Sequence, residues 1–262
     1  MYDNNYGIYL SNSPNNKLRN NILNNNINGF GVAGTLTTDF YQDIDDSNLI
    51  DGDPILYLVG KSDMIIDGNV DAFGYLILVA CDNMTVQNVD DGDILIILTT
   101  HSTFYNLSAH HGKYGIYLWE SSYNDIIDCT AYNNTETGIY LSESHYNDIL
   151  RFTAYDNDEL YNKGYGIYLS ESSFNTITGC DSYSHNTGGK GVFLSGASDN
   201  VFTLCNVFDN SIGFNLLAGA AGTERNNFLQ CDIYGNANYN FYARYANDNI
   251  IKNSNLYDSK RS

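Results

Sequence analysis

Three glutamates stand at the same place in three copies of one short phrase. Glu120, Glu143 and Glu171 each follow a run that begins G-I-Y-L. If the copies stack, these carboxylates lie about 5 Å apart and repel each other by roughly 3 kcal/mol at an effective dielectric constant of about 20. A hard cation such as Ca²⁺ would relieve that repulsion, whereas exposed side chains could also splay into water. With Asp125 and Asp148 a turn away, the stack predicts a calcium site, and solvated carboxylates are the alternative.

Aromatic residues recur within the same phrase. The series comprises Tyr117, Tyr140, Tyr168 and Phe193, with Tyr9 and Tyr242 farther out. Flat rings in a row at strand spacing can stack against sugar rings, which predicts a glycan-binding surface along this face. Outward tyrosine also suits any pleated, half-exposed surface, so packing against another segment is the alternative.

Short β-strands must position these side chains. The phrase G-I-Y-L-S-E-S stands at Gly138–Ser144 and Gly166–Ser172, with variants at Gly7–Ser13 and Gly115–Ser121. Its apolar residues alternate as in a strand, and in each copy Gly precedes an Asn by nine residues. Two further apolar runs follow in each period, separated by turns rich in Asn, Asp, Ser and Gly. The pattern predicts an all-β, right-handed parallel β-helix of about ten or eleven rungs, with three short strands per rung, as a single domain over residues 1–262.

Stacked rungs predict columns of like side chains. One column, joined by amide hydrogen bonds, comprises Asn124, Asn147, Asn175, Asn200, Asn226 and Asn249. An inward column comprises Cys129, Phe152, Cys180, Cys205 and Cys231. An aromatic column three residues later comprises Tyr132, Tyr155, Tyr183, Phe208, Tyr234 and Tyr257. Four of the five cysteines thus fall on the inward column, and no C-x-x-C pair occurs, which indicates packing rather than metal binding.

The chain carries 31 acidic and 12 basic residues, for a net charge of −19. Nucleic acid is therefore not an expected partner, because phosphate binding needs a basic footprint. No stretch is long and apolar enough to span a membrane, and no signal peptide opens the chain. Repeats run almost to both termini, where solenoids normally carry polar caps. We therefore expect a fragment of a longer protein, or end-on contact with neighbouring domains or a second copy.

Several segments resemble one known family. Ile44–Leu58, Gly60–Gly68 and Leu78–Asn88, together with the later G-I-Y-L-S-E-S copies, are similar to NosD-type periplasmic β-helix proteins. This group is common among archaeal surface proteins and is also described as carbohydrate-binding and sugar-hydrolase repeats. The resemblance covers nearly the whole chain. It implies a β-helix located in the periplasm, at the cell surface or outside the cell.

The family name also implies copper delivery to nitrous oxide reductase. Copper sites need Met, Cys and His side chains that converge. Met64 and Met84 fall at equivalent outward positions of successive rungs, but the next equivalents, Phe104 and Asp125, end the series. A copper site is therefore not predicted.

A second resemblance is confined to short motifs. The β-helix polygalacturonases carry N-x-D, D-D, G-H-G and R-x-K motifs. This chain has N-V-D ending at Asp71, D-D at Asp90 and Asp91, and H-H-G around His111. The resemblance implies that these carboxylates supply a general acid and a general base for hydrolysis of a glycosidic bond with inversion. However, G-H-G has become H-H-G, and I-Y-L stands where R-x-K is expected.

The sequence thus favours a non-catalytic β-helix outside the cytoplasm that acts as a structural or interaction module. A polysaccharide or surface glycan along the aromatic face is the predicted partner. A polysaccharide hydrolase or lyase of the polygalacturonase type is the alternative. Ca²⁺ is the only candidate ion, and no other cofactor is predicted.

Overall fold

The computed structural model describes residues 4, 6–26, 29–71, 73–157, 164–185, 188–220 and 222–258. The elements there are short β-strands and one 3₁₀ helix, Thr37–Phe40. Three sheets extend along the stacked rungs, and their strands are parallel except for one antiparallel pair. The arrangement confirms the predicted parallel β-helix with three strands per rung.

The largest sheet, called the long sheet below, has eleven strands. In spatial order they are Ile22–Leu23, Leu49–Ile50, Asp53–Val59, Tyr75–Val79, Ile94–Ile97, Tyr114–Trp119, Thr137–Ser142, Tyr165–Ser170, Lys190–Ser195, Ile212–Leu217 and Tyr239–Arg244. The second sheet comprises Ile65–Asp67, Thr85–Gln87, Thr103–Tyr105, Asp125–Ile127, Asp148–Leu150, Thr176–Thr178, Val201–Thr203, Asn227–Leu229 and Ile250–Lys252. The third sheet comprises Asp90–Asp91, Ser108–His110, Thr130–Tyr132, Thr153–Tyr155, Asp181–Tyr183, Asn206–Phe208, Asp232–Tyr234 and Asn255–Tyr257. Two separate pairs join Ile8–Ser11 to Phe30–Ala33 and Lys17–Leu18 to Asp43–Ile44.

Each long-sheet strand alternates between the interior and the outside. In Thr137–Ser142, Ile139 and Leu141 are fully buried inside the solenoid, while Tyr140 points outward. In-register pairing repeats this pattern from rung to rung. Burial of each such aliphatic side chain contributes roughly 1.5–3 kcal/mol, so the interior columns are the main stabilising feature of the solenoid.

The predicted asparagine column is confirmed. At Asn175, the backbone N and Nδ2 both donate to Oδ1 of Asn200, over 2.9 and 3.1 Å, and Nδ2 also donates to the carbonyl of Ser144 over 3.0 Å. The asparagines of the column up to Asn226 are buried, so their bonds satisfy turn groups that water cannot reach. The column therefore fixes both the turn and the register of neighbouring rungs.

The other two columns are confirmed as well. The aromatic column stacks with centroid separations between 4.7 and 5.4 Å. The inward column is fully buried, with the backbone N of Phe152 donating to Sγ of Cys180 over 3.4 Å. All five cysteines are buried free thiols, which agrees with a packing role.

The first two rungs leave the main stack. They form the N-terminal unit, which comprises residues 6–26 and 29–50 and whose strands pair with each other. This unit joins the solenoid where Leu49–Ile50 runs antiparallel to Asp53–Val59. This unit lies on the outward face of the long sheet. Phe40 packs 4.7 Å from Trp119 between ring centroids and accepts a hydrogen bond on its carbonyl from the Tyr57 hydroxyl over 2.6 Å.

A second core results from this contact. It buries outward positions of the first long-sheet strands, namely Ile77, Val79, Leu95 and Ile97, against the N-terminal unit. The strand Tyr75–Val79 is consequently apolar and buried on both faces. The solenoid thus carries a cover over its first rungs and an open outward face beyond them.

The structure corrects the register predicted for the methionines. Met84 is equivalent to Met64, as predicted, but the next equivalents are Ser102 and Asn124 rather than Phe104 and Asp125. Met84 is also buried in the solenoid core instead of pointing outward. It occupies a rung of the asparagine column where an apolar side chain replaces the amide.

Candidate functional site

A cleft of about 120 Å³ lies where the N-terminal unit meets the long sheet. The N-terminal unit contributes the rings of Tyr6 and Tyr9, whose centroids are 4.6 Å apart. The long sheet contributes Tyr114 and Tyr117, whose centroids are 5.1 Å apart. Asp93 also lines the cleft. Tyr75 and Phe40 line it as well, so this junction cleft combines six aromatic rings with one carboxyl group.

Asp93 directly precedes the strand Ile94–Ile97 and is only 6% exposed. Its Oδ1 accepts a hydrogen bond from the backbone N of Tyr114 over 3.0 Å, and its Oδ2 accepts one from the Tyr75 hydroxyl over 3.4 Å. Burial outweighs these bonds and raises the pKa of Asp93 to about 7. Gly112 permits the arrangement, because a Cβ there would lie 1.8 Å from Oδ1. A carboxyl group that titrates near neutral pH can serve as an acid or a base.

Lys113 is a cation that lines the junction cleft. Its Nζ lies 4.7 Å from the ring centroid of Tyr114 and 3.5 Å from Oε1 of Glu136. Burial first, and then the charge of Asp93, raise the pKa of Tyr6 to about 12. The lysine is therefore already paired, and the Tyr6 hydroxyl stays protonated at neutral pH and can donate a hydrogen bond.

The predicted aromatic stripe continues from the junction cleft along the long sheet. Tyr117, Tyr140, Tyr168 and Phe193 lie in register, with successive centroids 5.0, 4.5 and 4.8 Å apart. The rings pack largely on one another, and all four are at least half-buried. Their edges and hydroxyl groups, rather than their faces, are available to a ligand. Glycan contact along the stripe stays a prediction, with hydrogen bonding instead of ring stacking as its chemistry.

The two outlying members of the stripe lie in different places. Tyr242 belongs to the same column as Phe193 and is separated from it by one rung, which carries Asn215. Tyr9 belongs to the N-terminal unit and lines the junction cleft. Sequence spacing therefore found a residue of the cleft without showing which surface it joins.

A second cleft, of about 240 Å³, shares Asp93 and Tyr75 with the junction cleft. His110 and His111 line it, and their Nδ1 atoms are 2.7 Å apart. Nε2 of His110 lies 3.1 Å from Oδ1 of Asp90. Asp90 and the two histidines thus form one hydrogen-bonded chain in the neighbourhood of a buried carboxyl.

The motif-based set of Asp71, Asp90, Asp91 and His111 is only partly brought together. Asp90 and His111 belong to the hydrogen-bonded chain beside the second cleft. Asp71 instead accepts a hydrogen bond from the backbone N of Asp67 over 3.1 Å and lines neither cleft. The side chain of Asp91 lies outside the described structure. The polygalacturonase assignment therefore stays a prediction, now limited to two of its four residues.

The predicted glutamate stack occupies equivalent turn positions. Glu120, Glu143 and Glu171 all have left-handed backbones, with φ of 46°, 50° and 49°. Partial burial first, and then the charge of Glu143, raise the pKa of Glu120. Burial first, and then Asp148, likewise raise the pKa of Asp125. Across the described residues, no three His, Cys, Asp or Glu side chains are grouped to hold a metal ion. The calcium prediction thus has stacked carboxylates but no converging set of ligands.

The comparison with family models gives one match. The model of NosD, described as a periplasmic copper-binding protein, matches residues 47–230. The chain belongs to the NosD family. NosD is a periplasmic family, in agreement with the location predicted from the sequence. The described part of this NosD family member has no helix with the length and apolar character needed to cross a membrane. A search of curated proteins finds no match.

Solved structures similar to this NosD family member include two carbohydrate epimerases. The A-module of mannuronan C-5 epimerase AlgE4 from Azotobacter vinelandii has a TM-score of 0.52 and 14% identity, covering 99% of this chain and 76% of that one. The periplasmic alginate epimerase AlgG has a TM-score of 0.54 and 11% identity, covering 95% of this chain and 72% of that one. At such identities the likeness concerns the fold alone, and it agrees with the right-handed β-helix.

Copper, which the family description names, does not fit the described residues of this NosD family member. Met84 is buried in the core and Met64 is partly exposed one rung away. The five cysteines are all buried as free thiols, and burial raises the pKa of Cys129 to about 12, far from the thiolate that copper needs. No His, Cys, Asp or Glu grouping in the described chain completes a donor set.

Sequence reasoning missed five of the polar and tyrosine residues of the junction cleft, namely Tyr6, Tyr75, Asp93, Lys113 and Tyr114. Three of these left a signal in the sequence. Asp93 stands where the next rung carries Gly115, so an acidic residue replaces a glycine directly before a buried strand. Tyr6 precedes Gly7 just as Tyr114 precedes Gly115. The extended phrase Y-G-I-Y-L therefore marks both elements that line the cleft.

Proposed function

We propose that this protein binds a glycan outside the cytoplasm, with the junction cleft as its binding site. The observation that carries the proposal is the convergence of two tyrosine pairs, from distant parts of the chain, around the carboxyl group of Asp93. Ligand sites typically combine an apolar or aromatic lining with a few placed polar groups. The periplasmic family and the carbohydrate-acting proteins of the same fold support this proposal.

The size of the cleft sets what it holds. At about 120 Å³ it is smaller than the roughly 300–1,000 Å³ typical of sites for larger ligands. A single sugar unit suits this volume. Further units of a chain would extend along the edges and hydroxyl groups of Tyr140 and Tyr168, which adjoin the cleft through Tyr117.

Titration calorimetry with neutral, acidic and amino oligosaccharides tests the proposal. Tyr9→Ala and Tyr117→Ala should each weaken binding about tenfold or more, because each removes a ring of the cleft. Tyr146→Ala is the matched control, since Tyr146 lies in an exposed ring stack that lines neither cleft. Binding by no member of the panel, or equal binding by the cleft variants and wild type, would refute the proposal.

A second candidate function is cleavage of a polysaccharide. It is favoured by the hydrogen-bonded chain of Asp90, His110 and His111 beside a carboxyl group, Asp93, whose pKa is about 7. In hydrolysis, a protonated Asp93 would donate to the glycosidic oxygen while the chain removes a proton from the attacking water.

Reducing-end release and the absorbance of unsaturated sugar products measure hydrolysis and lyase action, respectively. Asp90→Asn and His111→Ala should each abolish product formation. Asp248→Asn, an exposed change on the last rung, should leave it intact. A glycan that binds without yielding either product over a long incubation would exclude this second function.

A further inference from the structure

We propose that the junction cleft takes a positively charged sugar, an amino sugar with a free ammonium group, rather than a uronate. This inference rests on the proposed function and names its ligand class. It separates the protein from the mannuronan and alginate epimerases of the same fold, since mannuronan and alginate are both chains of uronate units. The argument depends on which charges line the cleft and how each of them is already paired.

The cleft offers little to a carboxylate ligand. Among the described residues that line it, Lys113 alone is basic, and its Nζ is engaged by Glu136 at 3.5 Å and by the Tyr114 ring. A uronate bound there would compete with Glu136 and face the carboxyl group of Asp93 at the same time. The net charge of −19 would also oppose the approach of any polyanion.

The same cleft offers two complementary groups to an ammonium ion. The carboxylate of Asp93 accepts hydrogen bonds from the backbone N of Tyr114 and the Tyr75 hydroxyl, and a further backbone contact comes from Lys113. An ionised carboxylate has about four acceptor positions, so acceptor capacity is left for a ligand. An ammonium group would donate to these oxygens in charge-assisted hydrogen bonds. Tyr6 and Tyr9 would add attraction through their ring faces, as aromatic rings do for cations within about 6 Å of the ring centroid.

Asp93 is also the natural electrostatic partner of such a ligand. Its pKa of about 7 reflects an environment that disfavours the ionised form, chiefly through burial. A bound ammonium would lower that pKa and keep the carboxylate charged. On the side of the second cleft, Asp51 adds a further acidic residue and no lysine or arginine is present among the lining residues.

Two oligosaccharides of equal length provide the test. A glucosamine oligomer carries ammonium groups in mildly acidic buffer, whereas the N-acetylglucosamine oligomer has the same ring and linkage without the charge. Titration calorimetry with both, and with an alginate oligomer, should show the glucosamine oligomer binding at least about tenfold more tightly than either. Asp93→Asn should reduce this preference to near unity.

Non-specific attraction of a cation to an acidic protein needs its own control. Asp248→Asn changes the net charge as much as Asp93→Asn but lies on the exposed last rung, so it should retain the preference. Lys113→Gln keeps Asp93 in place and should strengthen binding of the glucosamine oligomer by removing a like charge. This second variant preserves the test if Asp93→Asn does not fold.

The outcomes distinguish the inference from the proposed function. Tighter binding of alginate, equal binding of the two matched oligomers, or a loss of preference in Asp248→Asn would each overturn the amino-sugar inference while leaving glycan binding intact. Weaker glucosamine binding by Lys113→Gln would overturn it as well. Binding of no sugar at all would overturn the proposed function, and the inference with it.

Discussion

Replacing Asp93 with asparagine should change how the stability of the protein depends on pH. Burial raises the pKa of Asp93 from 3.8 to about 7, so between these values the folded protein holds a proton that the unfolded chain has released. The state that binds more protons is favoured at low pH. The contribution of Asp93 is therefore fully present below about pH 4 and is lost as pH rises through about 7.

The size of the effect follows from the shift. About three pKa units, at roughly 1.4 kcal/mol each, correspond to a loss of roughly 4 kcal/mol in the free energy of unfolding across this window. Asparagine has a similar shape, accepts the hydrogen bond from the backbone N of Tyr114 and does not ionise. The free energy of unfolding of Asp93→Asn, relative to wild type, should therefore rise by about the same amount over the same pH window.

Urea unfolding at a series of pH values measures this difference. The single tryptophan, Trp119, packs against Phe40 of the N-terminal unit and reports on unfolding by fluorescence. Subtracting wild type from Asp93→Asn cancels the other carboxyl groups, and Asp248→Asn controls for net charge. A difference that stays constant within about 1 kcal/mol from pH 4 to pH 8 would refute the assignment of a buried, proton-binding carboxyl in the cleft.

Three further predictions concern the solenoid itself. Asn175→Ala should lower the free energy of unfolding by about 3 kcal/mol or more, because it leaves buried hydrogen-bonding partners unsatisfied at a cost of about 1–3 kcal/mol each. Asn249→Ala on the last rung should lower the free energy of unfolding clearly less in the same denaturation assay. Burial lowers the pKa of His185 to about 3, so the wild type should lose stability as pH falls from about 6.5 towards 3; His185→Asn should flatten that loss in acid titrations followed by circular dichroism, and an unchanged acid profile would contradict the burial of a neutral imidazole. The five buried thiols should resist alkylation in the native protein and react together on unfolding, as counted by mass spectrometry; rapid native labelling of Cys129 would contradict its burial.

Register was predictable where buried apolar residues and polar spacing agree. From Asn124 onward the amide and the inward residues repeat together, and the predicted column is confirmed. Asn83 also follows a glycine, Gly74, by nine residues, but here the spacing is one residue out of phase with the rungs. Met84 therefore occupies the position of the asparagine column instead of Asn83. A one-residue shift moves side chains to the other face, so the buried Val86, paired with Phe104, decides the alignment.

The departure of the first two rungs was harder to predict. Gly7–Ser13 carries a variant of the phrase found in the later rungs. Nothing within this segment shows that its strand pairs with only one neighbouring strand instead of continuing the long sheet. The informative signal is the dipeptide Asp51-Gly52, where both residues have positive φ and the chain reverses into an antiparallel pairing. Strands that are apolar on both faces, such as Tyr75–Val79, further indicate that something must cover them.

The junction cleft escaped prediction for a related reason. The repeat pattern encodes contacts between neighbouring rungs, and the aromatic stripe is a contact of that kind. Asp93 and Tyr6 are instead brought together across more than eighty residues of chain, by packing of the N-terminal unit on the sheet. Periodicity carries no signal for such a contact, because a repeat encodes pairing between neighbouring rungs and these two residues lie on separate stacks.

Because two of the five tyrosines in the cleft, Tyr6 and Tyr9, belong to the N-terminal unit, ligand binding in the cleft and docking of that unit are thermodynamically linked. A ligand that touches both walls binds only the docked form, and by mass action it must then hold the cover closed. Limited proteolysis of the first fifty residues would in that case slow down as the cleft fills. The rate at which a protease cleaves the N-terminal unit would therefore measure ligand occupancy of the cleft.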